Sequence, residues 1–366
     1  MSLKLVFACG GTGGHIFPAL SVGEENYRRN PENRILYVCG KKDVESAIFK
    51  IARNEPVEVI ESSPFKGAFS FASPVFLLKL TQGFFQSLKI LRRERPQLVL
   101  GFGGYTSFPV LMAAKALNIP TMVHEQNVVP GKANRWMAGQ VRAVALSFAE
   151  TERYFPRPRK KKVTGNPIRS RVERECRGEA LGFFGFSPEK KTLLVLGGSQ
   201  GAESINTLFL HCLKHLSAPV RGEMQVLHLC GRMDPSESEK ICSKERIFAK
   251  AYSFFDAMDL AYSAADLCVG RAGATFLAEI RLRRMPVLLL PYPFGDGHQR
   301  ANAEIFQREH GARVAEQKEL DAQKMAILLE EMMTEVSSPA PSRGVPQISD
   351  ARRALADYIE LCIQSS

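Results

Sequence analysis

Short apolar runs and longer stretches of helical periodicity alternate along the first half of the chain. An apolar run at residues 3–8 comes before a glycine-rich segment, residues 9–15, and a helical pattern begins at Leu20. Pro18 is suited to the first position of a helix, so this region predicts a strand, a glycine loop and a helix start. Further buried strands are predicted at residues 34–38, 57–60, 97–100 and 121–123.

The second half of the chain repeats the same order of elements. Residues 193–196 predict a buried strand, residues 197–202 are glycine-rich, and a helical pattern follows them. A proline-rich and basic stretch at 156–162 comes before residues 164–169, which we predict to link the two halves. Further strands are predicted at residues 225–230, 248–252, 267–270 and 287–290.

This alternation predicts an α/β protein made of two Rossmann-like domains that face each other across a cleft. A chain of 366 residues is long enough for two such domains with separate cores. We expect an N-terminal domain at residues 1–165 and a C-terminal domain at 166–346. An amphipathic helix within 347–366 is expected to pack back on the N-terminal domain.

The first glycine loop could bind an anionic group. Its four glycines let the backbone approach a ligand, and the N–H groups of a helix N-terminus favour negative charge. It is not a dinucleotide fingerprint, because the bulky Ile16 stands where the last glycine would be. The loop delivers one imidazole, His15, to the start of the helix. The alternative is a tight strand-to-helix turn without a ligand.

Polar side chains follow several of the predicted strands. His15 and Tyr105 follow two of them across glycine loops, and His124, Glu125 and Asn127 come directly after another. Ligands of parallel sheets collect outside the carboxyl ends of the strands, so we expect these five side chains to line one crevice. Each of them could instead be a polar group that serves only the structure.

A comparable site is predicted in the second half, after the strand at 267–270. Small residues between Arg271 and Ala278 suit a helix N-terminus that binds phosphate, and Glu279 lies about one turn further on. A carboxylate there can accept hydrogen bonds from the two hydroxyls of a ribose. A solvent-facing Glu279 is the alternative, but Leu277 and Ile280 indicate a buried helix.

The net charge and the spacing of cysteines and histidines indicate which partners, compartment and metal sites to expect. The net charge of +11 indicates an anionic partner, and without RNA-binding signatures or zinc-finger spacings we expect no nucleic acid. The eight cysteines are scattered without a C-x-x-C pair, which is typical of reduced thiols in a cytoplasmic protein. His211 and His215 lie one helical turn apart, but without an obvious third ligand we interpret them as structural.

Residues 64–95 combine aromatic and basic side chains. Phenylalanines crowd the segment from Phe65 to Phe85, and lysines and arginines are interleaved or follow directly. The segment is either a helix packed into the core or a patch that contacts an anionic membrane surface. No apolar run approaches the roughly 20 residues of a membrane span, and no signal-peptide pattern is present.

Seven segments in order resemble the MurG family of peptidoglycan N-acetylglucosaminyltransferases. They are residues 10–15, 101–105, 124–127, 165–169, 197–202, 271–279 and 299–302. The resemblance implies a glycosyltransferase-B fold, with UDP-N-acetylglucosamine in the C-terminal half and an undecaprenyl-linked acceptor against the N-terminal half. It also implies a peripheral protein at the cytoplasmic face of the cell membrane.

The resemblance further implies roles for individual residues. The backbone around Phe255 would bind the uracil and Glu279 the ribose, while Gln299 and Asn127 would bind the sugar. His15 is the candidate general base, and Glu125 lies nearby as a second candidate, with Tyr105 and His124 close to the acceptor. The remaining residues shape the reaction centre or lie beside the diphosphate: Thr12, Gly13, Gly14, Arg169, Ser199, Ala274, Thr275, Phe276, Leu277 and Ala278.

The expected reaction is an inverting transfer to the 4-hydroxyl of N-acetylmuramic acid in the pentapeptide-bearing lipid acceptor. No carboxylate cluster for a metal is visible, so we expect no required cofactor and at most a stimulatory divalent metal. One departure stands out, because Phe276 occupies a position where the family usually has threonine. The alternatives are a UDP-N-acetylglucosamine 2-epimerase and a non-catalytic nucleotide-sugar binder at the membrane surface.

Overall fold

The computed structural model describes residues 2–44, 55–63, 74–156, 160–198, 201–294, 297–336 and 351–364. The chain divides into a first unit, Met1–Arg169 with Ser349–Ser366, and a second unit, Ser170–Ile348. The boundary thus falls four residues after the one we expected at 165. Arg169 stays with the first unit, because its guanidinium lies over the ring of Phe17, 4.3 Å from the ring centre.

The first unit is built on a seven-stranded parallel sheet among the described residues. The strand order is β3-β2-β1-β4-β5-β6-β7, so the direction of winding reverses between β1 and β4. The strands are β1 Lys4–Ala8, β2 Arg34–Gly40, β3 Val57–Ile60, β4 Leu98–Gly101, β5 Thr121–Glu125, β6 Ala143–Leu146 and β7 Lys161–Val163.

Helices flank this sheet and bury its apolar strands. Helix α3 packs against α4. Gly83 of α3 lets the helix approach the segment that follows β3, since a Cβ there would lie 2.2 Å from the Glu61 carbonyl oxygen. The helices of this unit are α1 Gly13–Arg29, α2 Lys41–Val44, α3 Pro74–Glu94, α4 Gly104–Ala116, α5 Lys132–Ala138 and the C-terminal α14 Ala351–Gln364.

Two helices begin earlier than the sequence predicted. We expected prolines at or near the helix starts, but α1 begins at Gly13 with Pro18 inside it, and α4 begins at Gly104 with Pro109 inside it. Each proline is the sixth residue of its helix. The glycine loops therefore turn directly into the helices, which places His15 within the first turn of α1.

Helix α14 packs against α1 in the first unit. Arg29 near the end of α1 pairs with Asp357 at 2.7 Å and with Glu360 at 3.0 Å. Its guanidinium also contacts Glu25 of its own helix at 2.9 Å. The C-terminal segment of the chain thus belongs to the first unit.

The second unit has a six-stranded parallel sheet in the order β10-β9-β8-β11-β12-β13, so its winding reverses between β8 and β11. The strands are β8 Lys191–Leu196, β9 Met224–Leu229, β10 Phe248–Tyr252, β11 Leu267–Gly270, β12 Val287–Leu289 and β13 Arg313–Val314. The helices are α6 Arg177–Phe184, α7 Glu203–Cys212, α8 Ala218–Glu223, α9 Pro235–Lys244, α10 Met258–Ala264, α11 Ala274–Arg283, α12 His298–His310 and α13 Ala322–Glu335.

Both sheets have the strand order of a Rossmann fold, which confirms the predicted α/β class with two Rossmann-like domains. Within the described ranges, no helix is long and apolar enough to cross a membrane.

Candidate active site

Two glycine loops meet at the reversal point of the first sheet. Gly10 follows β1 and Gly104 follows β4, and a Cβ on Gly104 would lie 2.5 Å from the Gly10 carbonyl oxygen. Gly104 also has a φ of +77°, which side-chain-bearing residues rarely adopt. Only glycine therefore fits there, and the sheet brings the two loops together where parallel sheets bind ligands.

His15 lies between these loops, in the first turn of α1. Its Nδ1 atom is 3.0 Å from the Gly10 carbonyl oxygen and 3.4 Å from the Thr12 hydroxyl. A carbonyl oxygen only accepts hydrogen bonds, so Nδ1 must carry the proton that bonds to Gly10. In the neutral ring the lone pair then belongs to Nε2, which is the arrangement of a general base.

The second glycine loop makes room for the imidazole. A Cβ on Gly103 would lie 3.0 Å from His15 Cδ2 and 3.2 Å from its Nε2, and Gly103 has a φ of +95°. On the other side, a Cβ on Gly11 would lie 3.6 Å from the ring of Tyr105 and 3.9 Å from His15 Nδ1. His15 and Tyr105 therefore flank the same short piece of backbone at Gly11, as the strand-end argument predicted for this pair.

Asp43 anchors the first loop, a contact that the sequence did not reveal. Its carboxylate accepts hydrogen bonds from the N–H of Gly11 at 2.7 Å and from the N–H of Gly40 at 3.0 Å. Burial raises the pKa of this carboxyl, while the two N–H donors oppose the shift. The Gly11 N–H that we expected to attract an anionic ligand is thus already bonded to a protein carboxylate. The only signal in the sequence is an acidic residue soon after a strand end.

Glu125, the second candidate base, is buried beneath the site with only 1% of its surface exposed. Burial raises the pKa of its carboxyl, and hydrogen bonds from the neighbouring loop oppose that effect. This arrangement fixes the loop that follows β5 rather than presenting the carboxylate to a ligand. Its donors are Asn127 N at 2.9 Å, Asn127 Nδ2 at 3.2 Å, Gly131 N at 3.1 Å and Asn134 Nδ2 at 2.8 Å.

His124 is also interior. Its Nε2 donates to the Gly165 carbonyl oxygen at 3.1 Å, and its Nδ1 accepts from the Gln126 amide at 3.1 Å. Burial lowers the pKa of His124 to about 4, so the ring is neutral at neutral pH. Of the five side chains expected in one crevice, His15 and Tyr105 lie at the glycine loops, Asn127 is half-buried, and His124 and Glu125 support the loops from inside.

The second unit places Glu279 at its own reversal point, in helix α11 after β11. The carboxylate is 6% exposed and accepts a hydrogen bond of 2.6 Å from the Tyr262 hydroxyl. Tyr262, which the sequence reasoning missed, thereby fixes the orientation of the carboxylate. The solvent-facing alternative for Glu279 is wrong, because the residue is buried.

The first turn of α11 contains the predicted phosphate-binding residues Ala274 to Ala278. Thr275 is buried, whereas Phe276 is half-buried with its ring against Gly270, where a Cβ would lie 2.9 Å from the ring. A phenylalanine fits at position 276 because the facing residue of β11 has no side chain. The aromatic ring thus covers the end of that strand.

Arg271 links three segments of the second unit, a role that the sequence did not predict. It is buried, and its guanidinium donates to the Leu290 carbonyl at 2.9 Å, the Ser204 hydroxyl at 2.9 Å and the Gln317 side chain at 3.0 Å. Burial lowers the pKa of Arg271, and those three acceptors are neutral. Because none of these acceptors is charged, the Arg271 guanidinium gives this end of the second sheet a positive potential.

The remaining predicted residues are spread over both units. Phe255 lies in an aromatic cluster with Phe184 and Tyr252, at ring distances of 5.4 Å and 4.9 Å. Gln299 accepts a hydrogen bond from the Tyr292 N–H at 2.9 Å. Ser199 lies outside the described residues. Over the described part of the chain, no group of three or more His, Cys, Asp or Glu side chains is placed to hold a metal ion.

Two models of one family match this chain. The glycosyltransferase family 28 N-terminal domain matches residues 5–146, and the family 28 C-terminal domain matches residues 192–356. The chain belongs to glycosyltransferase family 28. The matched segments contain both reversal points, with His15 in one and Glu279 in the other.

Curated relatives within this family carry one name, UDP-N-acetylglucosamine–N-acetylmuramyl-(pentapeptide) pyrophosphoryl-undecaprenol N-acetylglucosamine transferase. The protein of Halothermothrix orenii is 38% identical over 91% of this chain and 91% of its own. That of Geobacter sulfurreducens is 35% identical over 97% of each chain. The chain thus spans nearly the full length of these relatives.

Solved structures agree on the fold. Acinetobacter baumannii MurG superimposes with a TM-score of 0.71 at 24% identity, covering 98% of this chain and 99% of that one. The UDP-GlcNAc 2-epimerase of Neisseria meningitidis, bound to UDP-GlcNAc, gives a TM-score of 0.68 at 11% identity, covering 98% and 100%. At identities of 24% and 11%, these two structures show the fold of the chain and no more.

Proposed function

We propose that this chain transfers N-acetylglucosamine from UDP-N-acetylglucosamine to the 4-hydroxyl of N-acetylmuramic acid in undecaprenyl-pyrophosphoryl-MurNAc-pentapeptide (lipid I), forming lipid II for peptidoglycan synthesis. Its family and its full-length relatives support this activity. The observation that carries the proposal is the bond from His15 Nδ1 to the Gly10 carbonyl, because it prepares Nε2 to accept a proton.

The reaction is a single displacement with inversion. Nε2 of His15 takes the proton of the acceptor hydroxyl while that oxygen forms a bond to the anomeric carbon of the donor. The bond from this carbon to the diphosphate breaks, and UDP leaves with the electron pair. Glu125 acts as a positioning residue for the loop containing Asn127, since its carboxylate is buried and receives four N–H groups.

Residues of the second unit bind the nucleoside of the donor. Glu279, oriented by Tyr262, accepts from the ribose hydroxyls, and the backbone around Phe255 binds the uracil. The first turn of α11 and the buried charge of Arg271 favour the diphosphate that leaves. Thr275 supplies the hydroxyl that Phe276 lacks. Arg169, Ser199, Gln299 and Asn127 complete the diphosphate and sugar contacts, and Thr12, Gly13 and Gly14 shape the acceptor side.

We propose that the protein acts at the cytoplasmic face of the cell membrane, as a peripheral protein without a nucleic-acid partner. Helix α3 supports this: its outer face exposes Val75, Leu78 and Phe85 by 62%, 58% and 61%. Lys89 and Arg92 lie exposed on the same helix. Apolar side chains rimmed by cations suit an anionic lipid surface. Phe65, Phe69 and Phe71 of the predicted patch lie outside the described residues.

The proposal is tested by incubating the protein with UDP-N-acetylglucosamine, with and without a lipid I analogue, in buffer with and without a chelator. We expect UDP release that requires the acceptor and persists with the chelator, because the proposed chemistry needs no metal. Formation of UDP-N-acetylmannosamine without acceptor would instead establish the epimerase. Tight binding of the nucleotide sugar without any turnover would establish the non-catalytic binder.

A further inference from the structure

A cavity of about 460 Å³ opens in the first unit beside the glycine loops. This volume lies in the range of roughly 300–1,000 Å³ that is typical of small-molecule sites. Of the described residues that line it, only Tyr105 was given a role above. The described residues that line it are Ser62, Ser63, Phe76, Leu80, Tyr105, Phe108, Pro109, Lys132, Ala133 and Trp136.

The walls of this cavity are largely apolar. Phe76 and Leu80 lie one turn apart on α3 and form one side. Phe108 of α4 and Trp136 of α5 form another, with ring centres 4.9 Å apart at 51°. Helices from three parts of the chain thus converge on a space that favours an apolar ligand rather than a sugar or a nucleotide.

Tyr105 lies both at the cavity and at the candidate active site. The ring of Tyr105 lines the cavity, and the same ring flanks Gly11 of the loop that holds His15. Ser62, Ser63 and Lys132 add polar groups to the lining. A ligand with a polar end at His15 and an apolar extension would pass Tyr105 and place that extension in the cavity.

We propose that this cavity is a subsite for the isoprenoid segment next to the diphosphate of the lipid-linked acceptor. The inference rests on the proposed function, because the relatives are named for a pyrophosphoryl-undecaprenol acceptor. Such an acceptor joins a polar sugar diphosphate to an apolar chain, which matches the order of His15, Tyr105 and the cavity. Lys132 adds a cation that suits the diphosphate.

This subsite is distinct from the outer face of α3. Phe76 and Leu80 line the cavity, whereas Val75 and Leu78 of the same helix are exposed. The outer face would contact a bilayer, but the cavity would select the chain of an acceptor molecule that is free in solution. The enzyme should therefore prefer isoprenoid acceptors even where no membrane is present.

The single tryptophan of the chain, Trp136, gives a direct readout of the cavity. Neryl diphosphate, below the concentration at which it aggregates, should change the emission of Trp136 in a saturable way, and inorganic pyrophosphate should not. Ala133→Phe fills the cavity and should weaken the neryl effect at least about tenfold. Ala116→Phe, at an exposed position near the end of α4, should leave it unchanged.

A second filling variant, Ser63→Leu, covers the case in which Ala133→Phe does not fold. The subsite is refuted if neryl diphosphate gives no saturable change, or if its affinity is the same in a folded filling variant as in the parent. Turnover of a water-soluble acceptor without an isoprenoid chain should be unaffected by either variant. Absence of this turnover in the unmodified protein would contradict the proposed function, whatever the fluorescence shows.

Discussion

The Nδ1 atom of His15 lies 3.0 Å from the carbonyl oxygen of Gly10, five residues earlier in the chain. This one hydrogen bond fixes the ring between two glycine loops and decides which nitrogen can accept a proton. It depends on Gly103 and Gly104, whose backbones leave room for the ring.

Replacing His15 by alanine should lower turnover by about 10²–10⁴-fold, because a positioned general base contributes that much. Binding of UDP-N-acetylglucosamine should hardly change, since Glu279 and the backbone around Phe255, which bind the nucleoside, lie in the second unit. The measurement is kcat with a lipid I analogue, beside the donor Kd from calorimetry.

Glu125→Gln tests the second candidate base beside His15→Ala. The buried carboxylate of Glu125 accepts hydrogen bonds from four N–H groups, so we expect the free energy of unfolding to fall by about 1–3 kcal/mol. If His15→Ala keeps near-normal turnover while a fully stable Glu125→Gln loses it, Glu125 is the base. Near-normal turnover of both variants would assign the proton transfer to substrate assistance.

Replacing Glu279 by alanine should weaken UDP binding by about 10- to 150-fold, because hydrogen bonds to a charged group contribute roughly 1.5–3 kcal/mol. Tyr262→Phe keeps the carboxylate but removes the 2.6 Å bond that orients it, so a smaller loss is expected. Titration calorimetry with UDP gives both values. Undiminished UDP affinity in a folded Glu279→Ala protein would remove Glu279 from the donor site.

Acid should destabilise both units through one buried histidine each. Burial lowers the pKa values of His124 and His228 to about 4, whereas an unfolded histidine titrates near 6.5. Between these values the unfolded chain binds more protons, so stability is fully present above about pH 6.5 and falls toward pH 4. At 1.36 kcal/mol per pKa unit the loss is about 3 kcal/mol per histidine.

Urea unfolding across this pH range measures the effect. His228→Gln should flatten the pH dependence of the second unit, since glutamine does not titrate. His211→Gln removes an exposed histidine from the same unit and should leave the dependence as it was. If the free energy of unfolding of His228→Gln depends on pH as steeply as that of the parent protein, His228 does not cause the pH dependence.

Membrane binding should depend on the outer face of α3. Leu78→Ser with Phe85→Ser should reduce binding to anionic vesicles at least about tenfold while the fold is kept, because both side chains are exposed. The control pair, Ile327→Ser with Leu361→Ser, removes exposed apolar side chains from other helices and should have no effect. Equal binding of the two double variants in vesicle sedimentation would exclude α3 as the contact.

Strand periodicity predicted the fold because the central strands of both sheets are buried, and buried strands appear as continuous apolar runs. The loops at Gly10 and Gly104 were predictable for the same reason, since each follows such a run. The helix starts were not, because Pro18 and Pro109 are tolerated inside helices whose first turns are made of glycine-loop residues.

Side-chain contacts across the fold were also beyond the sequence. Asp43 reaches back to Gly11, 32 residues away, and Arg271 reaches Ser204, 67 residues away. No local sequence pattern links Asp43 to Gly11 or Arg271 to Ser204. The sequence correctly placed His124 and Glu125 at the end of a strand. Only the structure shows that both side chains are buried rather than exposed in the crevice.

The product formed from UDP-N-acetylglucosamine and a lipid I analogue tests the account most directly. NMR of the purified product should show N-acetylglucosamine β-linked to the 4-oxygen of N-acetylmuramic acid, with one UDP released for each disaccharide formed. An α-linkage would contradict direct displacement by a hydroxyl that His15 deprotonates. UDP-N-acetylmannosamine in place of a disaccharide would contradict the transferase itself.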